Sequence, residues 1–303
     1  IYADNAATTR MDIDAFEAMK PFLLENYANA SQPYSFARLT KKAIKDARDT
    51  IAVCIGADPD EIFFTSGGTE SDNWVIKGTM ACTGKHRVIT TAFEHHAVLH
   101  ACERVKSEDC AVTYLTPTSD GVVTPDVLRK AITHDTRLVS VMMVNNEIGT
   151  VQPIKELCKV AHEKGALFHT DAVQAVGHIP IDVHDLGIDF LSASAHKFSG
   201  PKGIGFLYIR KGTPIEAYQD GGAQEHGLRA GTENVAAIVG MATALNKNYM
   251  FLEQTERHLC ELEDIILNGL REAEVDFRRN GCGVQVPGNL SLSFRNYEGE
   301  MLL

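Results

Sequence analysis

Leu138-Val139-Ser140-Val141-Met142-Met143-Val144 is apolar at every position but one. A strand with one wet face alternates polar and apolar residues. A strand buried on both faces does not, and such strands belong to parallel sheets covered by helices on both sides. Outward from this run, further β-rich stretches occur at Glu61–Thr65, Arg87–Thr91, Val112–Leu115, Leu167–Thr170, Phe190–Ser194 and Gly205–Ile209. Helical patterns lie between them at Ser71–Met80, His95–Lys106, Pro125–Ile132 and Ile154–Lys164. The alternation predicts an open α/β fold with a mostly parallel sheet and helices on both faces. Beyond Thr232 the texture changes. Glu233–Gly240 and Met241–Glu272 read as long helices, Gly281–Gly288 as turn, and Asn289–Phe294 as a strand. The expected division is a large domain over 14–246 and a smaller α+β domain, incomplete in this chain, from 1–13 and 247–303.

Composition is that of an ordinary globular protein, 44% hydrophobic and 23% charged over 303 residues. A net charge of −11 argues against a nucleic-acid binder, which would carry a basic face. No apolar run approaches the roughly 20 residues that span a bilayer. The start, Ile1-Tyr2-Ala3-Asp4, has neither a basic segment nor an apolar signal core. A cytoplasmic enzyme away from membranes is therefore the expectation. The seven cysteines are scattered, odd in number and without a CxxC pair, which fits free thiols better than disulfides or zinc. No HExxH occurs either, and no metal site is expected.

In an open α/β sheet, ligands gather at the carboxyl ends of the strands. After Glu61–Thr65 comes Ser66-Gly67-Gly68-Thr69-Glu70, opening a helix. Glycines admit an anion close to the backbone, and a helix start offers free N–H groups and a positive dipole end. Alone, the stretch reads equally as a turn and cap. After Arg87–Thr91 comes Glu94-His95-His96, after Val144 comes Asn145-Asn146-Glu147-Ile148-Gly149, and after Thr170 comes Asp171-Ala172-Val173-Gln174. Singly these are a histidine pair, an Asn/Gly turn and a helix cap. After Ser194 comes Ala195-His196-Lys197, a lysine directly behind an apolar strand. Together the strand ends offer an anion nest, an imidazole, an amide, a carboxylate and an amine. Pyridoxal phosphate needs this set: donors for its phosphate, a carboxylate for its ring nitrogen, a stacking partner, and a lysine for its aldehyde. No GxxxxGK[ST] loop is present, and Gly203-Ile204-Gly205 lacks the third glycine of a dinucleotide fingerprint.

These residues, with Asp4-Asn5-Ala6-Ala7-Thr8-Thr9, Ser71-Asp72-Asn73 and Arg229-Ala230-Gly231-Thr232-Glu233-Asn234, resemble the cysteine desulfurases of the NifS/IscS type. That group belongs to the class V aminotransferases, with the aspartate aminotransferase-like fold of PLP-dependent transferases. The likeness runs in order along nearly the whole chain. It implies that Lys197 joins the cofactor aldehyde, that Asp171 pairs with the ring nitrogen, and that His95 stacks on the ring and shuttles protons. Gln174 and Asn146 would contact the phenolate side, Asn146 also orienting substrate. Gly68, Thr69, Ser194 and His196 would bind the phosphate, and Asn5 and Ala6 would lie near the substrate entrance. Thr232 would reach the phosphate of the other subunit's cofactor, which makes a homodimer. The implied reaction turns L-cysteine into L-alanine. Its sulfur passes to an enzyme persulfide and on to an acceptor protein such as an iron–sulfur scaffold, or into thiolation pathways.

In this family the nucleophilic cysteine stands on a loop after segments like Asn289–Phe294 and Glu298–Leu303, and none of the seven cysteines occupies that position. Cys282 is nearest but precedes the terminal strand. Asn29–Ala37 also departs from the pattern: Tyr34 and Ala37 replace a histidine and a glycine in a segment expected to border the active site. Two alternatives stay open at this level. One is a selenocysteine lyase or another PLP-dependent β-lyase. The other is a non-catalytic PLP-binding scaffold, should the chain truly end at Leu303.

Overall fold

The computed structural model describes residues 2–82, 84–107 and 110–302. Two helices come first, α1 (Ile13–Leu24) and α2 (Arg38–Ile55). Then follow β1 (Ile62–Thr65), α3 (Gly68–Ala81), β2 (Arg87–Thr91), α4 (His96–Lys106), β3 (Ala111–Leu115), α5 (Pro125–Ala131), β4 (Thr136–Ser140), α6 (Ile154–Glu163), β5 (Leu167–Asp171), α7 (Val183–Leu186), β6 (Phe190–Ser194) and β7 (Gly205–Ile209). The chain ends in α8 (Val235–Met250), α9 (Leu252–Glu272), β8 (Phe277–Arg279) and β9 (Leu292–Phe294).

Strands β1 to β7 form one sheet in the order β1-β7-β6-β5-β4-β2-β3. Neighbours from β3 across to β6 run parallel, while β7 is antiparallel to both β6 and β1. The sheet is thus mostly parallel, and β1 points the same way as β6. Every residue of β1, β6 and β7 is buried. One core, with Trp74 and Val98 from α3 and α4, covers one part of the sheet; a larger one holds Ile51, Leu157 and Met241 from α2, α6 and α8.

Helix α2 shows how sequence makes such a layer. Its buried residues, Thr40, Ile44, Ala47, Ile51, Ala52 and Ile55, recur at helical spacing, so one face meets the core. Gly56 ends it at φ +67°, where its N–H returns to the Ala52 carbonyl. This left-handed stop suits glycine, which has no Cβ to clash. At the other end of the chain, α9 buries only Leu267, and β8 pairs with β9 in a separate two-stranded sheet.

The apolar run Leu138–Val144 is strand only over its first part. Strand β4 ends at Ser140, not Val144, although Val141–Val144 stays buried. On one side this segment still bonds along β5, with the N–H of Val141 and Met143 donating to the carbonyls of His169 and Asp171. On the other side Glu94 Oε1 accepts the Met142 N–H at 2.9 Å. A side chain has replaced the next rung of the ladder, and this is where the site begins.

Candidate active site

The carboxyl ends of β1, β2, β4, β5 and β6 open on one cavity of about 530 Å³. Its lining includes Lys197, Asp171, His95, Asn146, Gln174, Gly68, Thr69, Ser194, His196 and Ala6. These are the residues singled out in the sequence, except two. Asn5 lies in the exposed turn beside Ala6, and Thr232 is exposed in the segment ahead of α8; neither lines the cavity. The Asn29–Ala37 segment is also outside it, with Ser31 lining a separate groove and Ala37 fully buried. No cysteine contributes to the lining.

Lys197 ends the short turn that follows β6. Two tethers fix that turn. His178 Nε2 donates to the Lys197 carbonyl at 3.0 Å, and the Thr9 N–H and hydroxyl both donate to the His196 carbonyl at 2.9 Å. The Thr9 clamp brings the N-terminal turn over the lysine, whose Nζ donates to the carbonyls of Ala6 at 2.5 Å and Ala7 at 3.0 Å. Burial pushes the ammonium below its usual range, against the pull of Asp171, Asp4 and Glu147. A lysine so placed reaches its nucleophilic free-amine form more readily.

Asp171 is the last residue of β5, 4% exposed, with Oδ1 accepting the Val173 N–H at 2.9 Å. Burial raises its pKa, while the Val173 N–H, His95 and Lys197 draw it back down. Gln174 donates from Nε2 to the Ala6 carbonyl at 2.9 Å, a second tie on the N-terminal turn. His95 caps α4: its Nδ1 accepts the Ala97 N–H at 3.1 Å. An imidazole nitrogen that accepts carries no proton, so Nε2 holds it. Asn145 supplies the turn that presents Asn146, its Oδ1 accepting the N–H groups of Glu147 and Ile148.

Around the start of α3 the packing is tight. A Cβ on Gly68 would stand 2.5 Å from Val173 Cγ2, and one on Gly205 would meet Gly67 Cα at 2.7 Å. Gly67 itself sits at φ +147°. The first N–H groups of α3 have no carbonyl within the helix to bond. Glu70 fixes the turn by accepting from the Ser66 N–H at 3.0 Å and from Arg229 at 2.8 and 3.1 Å. Backbone donors, the Ser194 hydroxyl and His196 thus line a cavity that also holds an amine and a carboxylate. This donor set fits pyridoxal phosphate.

A comparison of the chain with known proteins agrees with the geometry. Residues 1–302 match the model of the Aminotransferase class-V family. The chain belongs to that family. Within the class V aminotransferases it falls among the cysteine desulfurases of the NifS/IscS type. It is 49% identical over its whole length to the cysteine desulfurase IscS of Dictyoglomus turgidum, covering 78% of that protein. It is 48% identical, again over its whole length, to cysteine desulfurase IscS of Methanosarcina thermophila, covering 76% of it. Among solved structures, a NifS-like protein superposes over the whole chain and 84% of its own with a TM-score of 0.95 at 39% identity. SspA in complex with cysteine aligns with 92% of this chain and 79% of its own, with a TM-score of 0.83 at 40% identity.

The class V cavity also holds residues to which the sequence motifs assign no role: Asp4, Ala7, Asp72, Met142, Glu147 and Val173. Asp72 had a usable signal. It stands four residues after Gly68 on α3 and so shares that helix face. Among the described residues no helix is long and apolar enough to cross a membrane.

Proposed function

We propose that this chain binds pyridoxal phosphate through Lys197 and works as a cysteine desulfurase, turning L-cysteine into L-alanine while the sulfur passes to a protein thiol. The observation that carries this reading is the meeting of the Lys197 amine, the Asp171 carboxylate and the first turn of α3 in one cavity. When bound, the cofactor supplies an aldehyde for an amine and a cationic ring that accepts the electrons left at the substrate α-carbon. The protein's own groups do the rest. Asp171 holds the ring-nitrogen proton, and Gly68, Thr69, Ser194 and His196 hold the phosphate. Gln174 and Asn146 orient the phenolate side, and Asn146 and the turn at Asn5 and Ala6 border the substrate. Lys197, with its lowered pKa, takes the α-proton, and the Nε2 proton of His95 is placed to be passed on.

Three further parts belong to the same proposal. Thr232 lies away from its own cavity, as a residue serving a partner subunit would, so the working unit is a homodimer. The persulfide sulfur goes to an acceptor protein such as an iron–sulfur scaffold, in the cytoplasm. Residues 14–246 form the large domain and 1–13 with 247–303 belong to the small one. The test is alanine release from L-cysteine by the cofactor-loaded protein, with Asp171→Ala alongside. Turnover should fall by several orders of magnitude in the variant. A loss of less than tenfold, about 1.4 kcal/mol, would remove the ring-nitrogen role.

A further inference from the structure

Three buried carboxyls gather at the cavity, Asp171 and Asp72 in its lining and Glu94 bonded to the N–H of the lining residue Met142, and the function uses only one. Asp171 is the one already assigned. Asp72, on α3, is 1% exposed, and Glu94, ahead of α4, is 5% exposed. Among the described residues neither has a lysine or arginine partner. Asp72 Oδ1 has no hydrogen bond and lies 3.6 Å from His169 Nε2. His169 stands two residues before Asp171 on β5 and is fully buried. Ser140 Oγ holds its Nδ1 at 2.8 Å and Ser192 Oγ its Nε2 at 3.0 Å. Burial pushes the imidazole down to about 3, so it offers Asp72 no positive charge. Positive charge reaches the cluster through Lys197, and it acts on Asp171.

Neighbouring carboxyls in a dry site do not both ionise; the one nearer the cations keeps the charge. We propose that Asp72 is a positioning residue that shares the cavity lining with Asp171 as an uncharged acid, so that one negative charge and not two faces the cofactor's ring nitrogen. The groups packed around it agree. From β5 come Asp171 and the neutral His169, from the turn ahead of α4 comes Glu94, and β4 and β6 present the hydroxyls of Ser140 and Ser192. Burial and the charge of Asp171 both raise the Asp72 pKa well above the usual carboxylate range. An ionised Asp72 would push Asp171 towards holding a proton of its own. Asp171 would then meet the ring nitrogen as a neutral acid, and the ring would lose its cationic character.

The proposal rests on the reading of Asp171 given above, and its test has an arm that does not. Asp72→Asn keeps the shape and removes the acid. In ligand-free protein, urea unfolding is followed from pH 4.5 to 8 for wild type and variant. A folded-state proton that the unfolded chain releases makes wild-type stability fall as pH rises. The variant's folding constant should therefore gain on wild type by about tenfold per pH unit. Parallel curves would overturn the proposal. In the second arm pyridoxal phosphate is titrated into each protein. Asp72→Asn should keep the affinity within about threefold, while Asp171→Asn should lose more than about tenfold. Equal losses in both variants would put the charge on Asp72 and overturn the proposal. Diverging stability curves with no loss in Asp171→Asn would instead overturn the reading of Asp171. Should Asn not be accommodated, Asp72→Ser gives the same pH comparison from a lower baseline.

Discussion

Removing the Glu225 carboxylate tests how the fold closes the β1 edge of its sheet. Strand β1 pairs only with β7, so its outer edge presents unpaired backbone groups. A side-chain pair covers them. Arg48 donates to the Ile62 carbonyl, and the Phe64 N–H donates to Glu225 Oε2 at 2.8 Å. The two side chains join through bonds of 2.9 and 2.6 Å, with the guanidinium 4.4 Å from the centre of the Phe64 ring. Their side chains are 14% and 4% exposed. Glu225→Ala leaves a cation without its counter-ion and an N–H without its acceptor in a nearly dry site. Breaking such a pair costs about 3–5 kcal/mol, of which the orphaned N–H is about 1–3. Alanine is preferable to glycine here, because Glu225 sits at φ +45° and glycine would also relieve backbone strain. The assay is urea unfolding, read as a lower midpoint with unchanged slope. Arg48→Met with Glu225→Leu should cost less than either change alone, since no charge is then stranded. A loss below about 1 kcal/mol for Glu225→Ala, the level of an exposed pair, would refute the reasoning.

Two further outcomes follow from the cavity. Gly68→Ala places a Cβ 2.5 Å from Val173 Cγ2, so cofactor affinity should fall more than melting temperature, and Val173→Ala in the same chain should restore part of it. A normal affinity in the single variant would contradict the packing at the α3 start. Lys197→Met should stabilise ligand-free protein at neutral pH. Burial lowers the folded ammonium below its ordinary 10.5, so the wild type carries that cost at every pH below the folded value. The cost fades as pH climbs towards 10.5, where the folded lysine is neutral and the unfolded one still protonated. Urea unfolding of both proteins between pH 7 and 10 should therefore show the gap closing; a constant gap would contradict it.

Sequence pattern gave the sheet well where a strand stops at its own turn. Strands β2, β6 and β7 run over the residues that their apolar runs predict, Arg87–Thr91, Phe190–Ser194 and Gly205–Ile209. It failed at β4, because the ladder there is ended by the Glu94 side chain, a long-range contact that no local pattern encodes. Helices α1 and α2 were not anticipated. The helical spacing of Ile44, Ala47, Ile51 and Ile55 was nonetheless available to mark α2. The site was legible because cofactor groups follow strand ends, and strand ends in a parallel sheet converge. What stayed hidden came from other geometry. The carbonyls of Ala6 and Ala7 reach Lys197 because the Thr9 clamp and the Gln174 tie hold the N-terminal turn over it. Asp72 and His169 lie one helical turn and one strand repeat from residues that had been singled out.

The most direct test of the account is chemical trapping. The protein is incubated with pyridoxal phosphate, reduced with borohydride and digested, and the cofactor-bearing peptide is identified. The account predicts one labelled peptide, modified at Lys197, and no label in Lys197→Ala. Label at another lysine, or trapping that persists in the variant, would contradict it.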